Sequence, residues 1–366
     1  MATDLPLADM FLPSVARAAF RRLGDLLAAR VAAPLAWPLG FCRSQHQLVS
    51  APPSKGAELG SKVALFAHFD RSCAVRNHVL TYLNALKDAG FSVVCVTNSG
   101  SLLPAARERL QSCCAAVLVR RNIGYDFGAW REALEQLALP RSNTTMLLLA
   151  NDSVYGPLAP LNELCRRVDF VTADIWGAAE SWQTRYHLQS YFLLIGDTVL
   201  RSAAWQRFWS RIRPVPSKHW IVRHYEVGLS QLLLSAGFRC EALWPYSHLI
   251  ADVDPLLLNS SSRNEGGDLE DRDPVIRARQ AHARHVREAN VRQRPLNPTT
   301  DLWRQLLRAG FPFVKRELLR DNPTRVRDVV DWRDEIACCQ THDRRAAALV
   351  LDIERDLQRT IRNRAP

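Results

Sequence analysis

The chain has 366 residues, of which 47% are hydrophobic and 23% are charged, an ordinary composition that excludes a chain disordered throughout, collagen and a disulfide scaffold. Its 48 Lys and Arg residues outnumber 37 Asp and Glu residues. The net charge of +11 favours an anionic partner, such as nucleic acid, anionic lipid or a phosphorylated small molecule. The nine cysteines form no CxxC pair, which indicates reduced thiols in a cytosol, and no apolar run approaches the ~18 residues of a membrane-spanning helix.

Residues 1–60 are predicted to form an N-terminal amphipathic helix and a linker. Apolar side chains recur at helical spacing between Val15 and Val31, with Arg17 and Arg21 on another face. This pattern is typical of a helix on an anionic membrane surface, and equally of a helix packed on the domain. Met1–Asp9 carries two acids and no basic residue, so we expect no secretory signal. The linker is marked by four prolines: Pro34, Pro38, Pro52 and Pro53.

Residues 61–256 alternate short apolar runs with amphipathic segments. This alternation predicts an α/β fold of Rossmann type, in which a mostly parallel sheet is flanked by helices on both faces. Four strands are predicted at Val63–Phe69, Phe91–Thr97, Ala115–Val119 and Met146–Ala150. Three helices are predicted at Asn77–Ala89, Pro104–Gln111 and Asp126–Leu137.

The remaining chain is predicted to contain a connector and a second helical region. Residues 257–295 are rich in Ser, Arg, Asp, Glu and Gly with little apolar periodicity, which favours a flexible or partly helical connector. Residues 296–366 are predicted to form a C-terminal helical extension, through Leu302–Leu307, Phe313–Leu319 and Ala346–Leu357.

Polar residues follow each of the four predicted strands. Asp70 follows the first, Asn98 the second, Asn122 the third and Asn151–Ser153 the fourth. The carboxyl ends of parallel strands share one edge of a sheet, where ligands bind in the crevice. One such residue is ordinary turn chemistry, whereas four in register predict a common site.

The first strand-to-helix turn contains His68, Asp70 and no GxGxxG or GxxxxGKS motif. The absence of these glycines argues against a nicotinamide oxidoreductase and a P-loop kinase. The carboxylate of Asp70 suits a nucleoside, because it can accept hydrogen bonds from a base or ribose, and His68 is placed in the same site. The alternative is a helix N-cap.

The segment from Arg120 to Trp130 contains two arginines, two glycines and an acid. Arg120 and Arg121 could meet phosphate oxygens beside Asn122, and Gly124 permits close approach of a ligand or of backbone. Asp126 could cap the helix or hold a sugar hydroxyl. Gly128 costs a helix roughly 1 kcal/mol relative to Ala, which indicates a packing or functional reason for it.

Asn151, Asp152 and Ser153 end the fourth strand. Asp152 could hold Mg²⁺ or Mn²⁺ beside a substrate diphosphate, since these ions take one or two carboxylates and leave other positions to phosphate and water. The alternative is an Asx-turn leading into Gly156 and Pro157.

Glu226 is predicted to lie in the first turn of a helix that runs from His224 to Gly237. A positioned carboxylate there could remove the proton of an attacking hydroxyl, or could simply complement the helix dipole. An acceptor pocket is predicted from His187, Gln189 and Tyr191, which alternate along a strand at Tyr186–Ile195 and so share one face. Their alternative role is structural.

Six segments in this order resemble the rhamnan-synthesis protein F family, over about residues 61–323: FAHFD, RNIGYDFGAW, NDSVYGPL, HLQSYFLLI, YEVGLSQLLLSAGF and NPTTDLWRQLLRAGFPFVKRELLRDNP. Members of that family are regarded as glycosyltransferases, often rhamnosyltransferases, that build rhamnan or O-antigen. The order of motifs also resembles the GT-A glycosyltransferase fold. The resemblance implies that Asp70 lies at the nucleoside, that Asn151–Ser153 replaces the acidic metal motif and that Glu226 is the catalytic base. Because Asp152 is the sole acid of that motif, Arg120 and Arg121 are the alternative neutralisers of the diphosphate.

These observations predict a glycosyltransferase that moves a sugar from a nucleotide sugar to a bacterial polysaccharide or O-antigen glycan with inversion. The resemblance makes dTDP-rhamnose a candidate donor, and the basic leader suits a lipid-linked acceptor at the inner face of the cytoplasmic membrane. The alternative is a non-catalytic glycan or nucleotide-sugar binding protein on a degenerate glycosyltransferase fold. Nucleic acid is not an expected partner, because the chain has no zinc, RRM or helix-turn-helix signature.

Overall fold

The structure is a computed structural model that describes residues 47–52, 57–251, 274–339 and 344–362. Its strands are β1 (Leu48–Ser50), β2 (Lys62–His68), β3 (Ser92–Thr97), β4 (Ala116–Arg120), β5 (Met146–Asn151), β6 (Val154–Tyr155), β7 (Ile175–Ser181), β8 (His187–Leu188), β9 (Phe192–Gly196), β10 (Cys240–Trp244) and β11 (Val314–Lys315). Nine of them form one sheet in the order β1-β4-β3-β2-β5-β9-β7-β10, with β8 paired to β7, while β6 and β11 pair separately.

The first half of the sheet consists of four parallel strands, β2 to β5. Their side chains are apolar and almost fully buried, because helices cover both faces of the sheet. The helices that connect these strands are α1 (Asn77–Asp88), α2 (Pro104–Cys113) and α3 (Tyr125–Gln136). The predicted strands and helices of this half are confirmed within one or two residues at each end.

The second half of the sheet is mixed. β9 runs antiparallel between β5 and β7, and β10 is parallel to β7. The prediction of one strand over Tyr186–Ile195 is wrong, because two short strands, β8 and β9, flank an irregular connection at residues 189–191. The helices around this half are α4 (Leu161–Arg166), α5 (Asp197–Leu200) and α6 (Ala203–Arg211).

A long helix with a π-helical turn inside it packs beside the second half of the sheet. It is built from α7 (Lys218–Ile221), the π-helical turn (Val222–Glu226) and α8 (Val227–Ser235). The prediction that a helix begins at about His224 is therefore wrong by about one and a half turns. Glu226 lies inside the helix, so the argument from the dipole of a first turn does not apply to it.

The C-terminal region is helical, apart from the short strand β11. Its helices are α9 (Tyr246–Ala251), α10 (Pro274–Val291), α11 (Pro298–Asp301), α12 (Trp303–Arg308), α13 (Arg316–Arg320), a 3₁₀-helix (Arg327–Asp331), α14 (Trp332–Cys339) and α15 (Arg344–Arg362). The predicted helix at Phe313–Leu319 is instead β11 followed by α13. β11 pairs with β6, just beyond the end of β5, so this region reaches the carboxyl edge of the sheet.

The α/β class, with a mostly parallel sheet flanked by helices and a C-terminal helical region, is confirmed. The C-terminal region shares the main core, since Leu302 and Phe313 pack in the same cluster as Ala64 and Phe66 of β2. The predicted leader helix at residues 15–31 lies outside the described residues, and the domain boundaries remain a prediction. Among the helices that the structure describes, none has the length and apolar character needed to cross a bilayer.

Candidate functional site

A cavity of about 440 Å³ lies at the carboxyl end of β5. Its wall begins with Asn151, whose buried amide nitrogen donates to Asp126 Oδ2 at 2.8 Å and whose Oδ1 accepts from Ser153 Oγ at 2.6 Å. Asp126 comes from the first turn of α3. The amide of Asn151 therefore joins the ends of two elements that are distant in sequence, as expected where the tips of parallel strands and the following helices meet.

The carboxyl group of Asp126 has an unusual ionisation. Burial, and then the nearby carboxylate of Asp152, raise the pKa of Asp126 to about 7. Lys218 and Lys315 oppose this shift from the other side of the cavity. Asp126 is thus protonated in a large fraction of molecules near neutral pH, where it can donate a hydrogen bond to a ligand as well as accept one.

Two adjacent cations, Lys315 and Arg316, contact Ser153 and Asp152 directly at the cavity wall. Arg316 Nη1 donates to the carbonyl oxygen and to Oδ2 of Asp152, at 2.6 and 2.9 Å. Lys315 Nζ donates to Ser153 Oγ at 3.0 Å and lies 5.0 Å from the ring centroid of Tyr191. Among the described residues, no carboxylate forms an ion pair with Lys315, and burial lowers its pKa. An anion entering the cavity would restore the solvation that this ammonium has lost.

The last helix holds Arg316 from behind. Asp356 of α15 is buried, accepts from the hydroxyl of Tyr155 at 2.7 Å and lies 3.5 Å from Arg316 Nη2. Burial works to raise the pKa of Asp356, but Arg316 and Tyr155 outweigh it and hold the pKa below its usual value. Arg316 is therefore fixed between two carboxylates, that of Asp152 just after β5 and that of Asp356 in α15.

Glu226 faces the cavity from the π-helical turn. It accepts from the hydroxyl and backbone nitrogen of Ser190, and its Oε1 lies 3.6 Å from His187 Nε2. Burial works to raise the pKa of Glu226, but His187 and Ser190 outweigh it and lower the pKa. Burial likewise works to lower the pKa of His187, and Glu226 outweighs it. Glu226 is thus a carboxylate at neutral pH, fixed in place and ready to accept a proton.

The connection between β8 and β9 supplies three consecutive residues to the cavity wall: Gln189, Ser190 and Tyr191. In a regular strand, neighbouring side chains point to opposite faces, so only the break in the strand allows this. Gln189 Nε2 donates to Asn297 Oδ1 at 3.1 Å, while its own Oε1 and the hydroxyl of Tyr191 are buried without a partner among the described residues. The predicted face of alternating residues is wrong, although His187, Gln189 and Tyr191 do lie near one another.

A second cavity of about 190 Å³ adjoins the first. Glu226, Gln189, Val222 and Asn297 line both cavities. His187, His219 and Arg223 line the second cavity alone. Glu226 therefore lies at the junction of two spaces, one with Lys315 and Arg316 on its far wall and the other with two histidines and an arginine.

Residues 93–316, more than half of the chain, match the family model of rhamnan synthesis protein F. The chain belongs to the rhamnan synthesis protein F family. Virulence protein VirA of Vibrio anguillarum is 29% identical over 268 residues, which cover 72% of this chain and 81% of VirA. The uncharacterized protein y4gN of Sinorhizobium fredii is 30% identical over 166 residues, which cover 44% of this chain and 43% of y4gN.

A solved structure of lower similarity is the mannosyltransferase PcManGT of Pyrobaculum calidifontis, in complex with GDP-Man and Mn²⁺. It aligns with 88% of this chain and 98% of its own chain at 11% identity and a TM-score of 0.34.

Three residues predicted to bind the nucleotide sugar lie at the same sheet edge but do not line the large cavity. His68 is buried and its Nδ1 lies 3.0 Å from Thr97 Oγ1. Asp70 accepts from the backbone nitrogen of Ser72 and pairs with Arg76 at 2.9 Å. Burial works to raise the pKa of Asp70, but Ser72 and Arg76 outweigh it. The third residue, Asn98, is buried and its side-chain oxygen accepts a hydrogen bond from Arg120. Their binding roles remain predictions.

The arginine predicted to meet phosphate at the end of β4 has another role. Arg120 is fully buried, forms an ion pair with Glu132 at 3.0 Å and donates to Asn98 Oδ1 at 2.5 Å. A Cβ on Gly128 would lie 2.9 Å from Arg120 Nη2, which explains this glycine by packing. The prediction of a phosphate contact for Arg120 is therefore wrong.

Three further predicted residues, Arg121, Asn122 and Gly124, do not line the large cavity either. Arg121 and Asn122 are exposed. Gly124 has a φ of 89°, and a Cβ there would lie 3.0 Å from the backbone of Pro214. The geometry gives Gly124 a backbone role, as the left-handed residue that begins α3.

The sequence analysis missed Lys315, Arg316, Ser190 and Lys218 as wall residues of the cavity. Lys315 and Arg316 lie in the segment NPTTDLWRQLLRAGFPFVKRELLRDNP, which carries the family resemblance, and they are two adjacent basic residues after an apolar run. That pattern alone does not distinguish a cavity wall from a solvated helix start.

The donor groups of the cavity fit a divalent cation poorly. No cluster of three or more His, Cys, Asp or Glu side chains suited to a metal occurs within the described ranges. The carboxylate of Asp152, the predicted ligand, is already paired with Arg316 at 2.9 Å. A metal ion there would compete with a guanidinium held on both sides, so the lysine and arginine are the better match for an anion.

Proposed function

We propose that the chain is a glycosyltransferase that moves a sugar from a nucleotide-sugar donor to a growing bacterial polysaccharide or O-antigen glycan. The observation that carries the proposal is the place of Glu226 at the junction of two cavities, one of which has Lys315 and Arg316 on its wall. A transferase needs a donor site, an acceptor site and a base between them. The family, named for rhamnan synthesis, supports the same substrate class.

The larger cavity is the donor site in this proposal. The diphosphate lies against Lys315, because a partly buried ammonium without a carboxylate in direct contact gains most from an anion, and Arg316 lies beside it. These cations stabilise the charge that develops on the leaving diphosphate. Asn151, Ser153 and Asp126 lie beside them and offer hydrogen bonds to the diphosphate or to the sugar. No step is assigned to a metal ion.

The acceptor hydroxyl enters through the smaller cavity. Its oxygen attacks the anomeric carbon as the bond from that carbon to the diphosphate oxygen breaks, and Glu226 takes the proton of the hydroxyl. One displacement inverts the anomeric centre. His187 and Ser190 hold the carboxylate of Glu226 and keep it ionised before the reaction.

We propose dTDP-rhamnose as the donor, because the family is named for rhamnan synthesis. The GT-A likeness and the lipid-linked acceptor also belong to the proposal. So does a cytoplasmic location, peripheral on the inner face of the membrane. The net charge of +11 supports an anionic surface as the place of work.

The Glu226→Gln variant tests this function. It removes the base but keeps the shape of the side chain, so transfer should fall about 10²- to 10⁴-fold while donor affinity changes little. Sugar transfer or slow hydrolysis is measured as nucleotide release from dTDP-, UDP- and GDP-sugars, and donor affinity by calorimetry. Glu241→Gln, which changes an exposed glutamate of β10, is the matched control.

Two results would contradict the proposal. If the wild-type protein releases nucleotide from no nucleotide sugar but binds one of them, the non-catalytic binding protein is the correct function; the amide Asn151, in place of an acid, is the observation that favours it. If Glu226→Gln turns over like the wild type, Glu226 is not the base.

A further inference from the structure

The β7–β8 hairpin presents an exposed tryptophan next to the proposed acceptor cavity. Trp182 is 48% exposed, whereas most large apolar side chains of the described residues are buried. It is nevertheless held in place, because its ring packs edge-to-face on Tyr186 with 5.0 Å between centroids. Tyr186 is anchored in turn, since its hydroxyl donates to the carbonyl oxygen of Cys240 at 3.1 Å. An aromatic ring kept rigid and open to solvent is a preformed contact surface.

Trp182 lines a groove of about 440 Å³ between the hairpin and helices α9 and α10. The other walls combine Tyr246 and Ile250 with the polar side chains of Asn290, Gln293 and Arg294. Aromatic faces beside amides and a guanidinium suit a sugar ring, which has apolar C–H faces and a rim of hydroxyl groups. The groove is open at the surface and mostly apolar, so a flat ring fits it better than a compact anion.

The groove and the proposed acceptor cavity share the β7–β8 hairpin as a wall. Ser181, Gln183 and Thr184 line the smaller cavity that contains Glu226, while Glu180 and Trp182 of the same hairpin line the groove. The tip of the hairpin is tightly turned, because Gln183 N donates to Ser181 Oγ at 3.2 Å and Thr184 has a φ of 73°. Side chains alternate between the two spaces along this segment, so a glycan that occupies both passes around the hairpin tip to reach the indole of Trp182.

We propose that the groove at Trp182 binds the sugar units that precede the acceptor residue of the growing glycan. This subsite rests on the proposed function for its place in the reaction, because the acceptor hydroxyl itself lies at Glu226. The occupant is a neutral or weakly charged oligosaccharide of several units. Stacking on Trp182 then makes a long acceptor a better substrate than a short one.

The experiment compares acceptors of increasing length in the full chain. The probes are methyl rhamnoside and rhamnose oligomers of two, four and six units. Direct binding is measured by calorimetry without donor, and KM and kcat are measured with a nucleotide sugar. In Trp182→Ala, affinity for the four- and six-unit probes should fall about 3- to 10-fold, with kcat and the KM of methyl rhamnoside unchanged. Trp182→Tyr should restore most of the affinity.

Leu351→Ala is the matched control, since Leu351 is a 52% exposed apolar residue on α15 that lines neither cavity nor the groove. It should leave every value unchanged. The subsite is wrong if no oligomer binds the wild type, if affinity does not rise with length, or if Trp182→Ala binds the six-unit probe like the wild type. Binding that depends on Trp182 without any sugar transfer would keep the subsite and reject the transferase.

Discussion

Two basic residues, Arg120 and Lys315, carry the same charge and have opposite surroundings. Arg120 is fully buried and its charge is neutralised inside the fold by Glu132. Lys315 lies at a cavity wall with a hydroxyl and an aromatic ring as its contacts. The comparison teaches that Lys315, whose charge the fold leaves without a carboxylate in direct contact, is better suited to an anion than Arg120.

The largest expected effect comes from breaking the buried ion pair between Arg120 and Glu132. Arg120→Met leaves Glu132 buried without its cation, so the free energy of unfolding should fall by about 3–5 kcal/mol. Urea unfolding measures this loss. The double variant Arg120→Met/Glu132→Leu should recover part of it, because both buried charges are then gone.

The adjacent Arg121→Met variant is the control for this experiment. Arg121 is exposed, so its substitution should change the free energy of unfolding by less than about 0.5 kcal/mol. If the Arg120 and Arg121 variants have the same free energy of unfolding, Arg120 is not the structural cation that its buried ion pair indicates.

Substitution of Lys315 should have the opposite effect: ligand affinity should fall, while the free energy of unfolding should not. Lys315→Met removes a charge-assisted contact to the diphosphate, so affinity for a nucleoside diphosphate should fall about 10- to 100-fold, equivalent to roughly 1.5–3 kcal/mol. Stability should stay constant or rise, because a partly buried ammonium is replaced by an apolar side chain. Calorimetry with UDP, GDP and dTDP, each with EDTA and then with Mn²⁺, gives the affinities.

The exposed Lys87 of α1 provides the matched variant, Lys87→Met, which should bind like the wild type. A large fall in stability without a fall in affinity would place Lys315 with Arg120 as a structural cation. Binding that requires Mn²⁺ in the wild type would show that lysine and arginine do not suffice for the diphosphate.

A smaller effect should appear in the pH dependence. Since the pKa of Asp126 is raised to about 7, its folded form keeps a proton that the unfolded form loses near pH 4. Its contribution to stability is therefore present at low pH and is lost as pH rises from about 4 through 7. The same ionisation adds a negative charge beside the donor site, so affinity for a nucleotide sugar should fall a few-fold between pH 6 and 8.

Asp126→Asn should flatten both profiles relative to the wild type. A nucleotide sugar is the suitable probe, because its diphosphate keeps a constant charge over this range, and thermal unfolding follows stability. If stability and affinity depend on pH in the same way in both proteins, Asp126 does not titrate between pH 4 and 8.

The first half of the sheet was predictable from local pattern. Strands such as Phe91–Thr97 are continuous apolar runs, and helices such as Asn77–Ala89 carry a clear apolar stripe that ends at Gly90, so sequence and burial agree. The break at Gln189–Tyr191 was not predictable, because HLQSYFLLI alternates like a single strand. Its interruption is imposed by tertiary contacts, including the bond from Gln189 to Asn297, more than 100 residues away.

The site was predictable in its acids and not in its cations. Asp126, Asp152 and Glu226 follow strands or open helical patterns, and the structure brings them around one cavity. Lys315 reaches Ser153 only because β11 pairs with β6, a contact over 162 residues of sequence. No periodicity in the sequence predicts that pairing. The sequence pattern instead favours Arg120 as the phosphate contact, because its ion pair with Glu132 is visible only in the structure.

The last helix has a practical consequence for anyone who trims this chain. Asp356 of α15 braces Arg316 through a direct contact and through Tyr155, although α15 lies beyond the segment that matches the family model. A fragment cut at the end of that match would keep every strand of the sheet and still lose one of the two carboxylates that orient the guanidinium. Expression boundaries drawn from homology alone would thus discard a supporting part of the proposed donor site, so recombinant versions need to extend at least through Arg362.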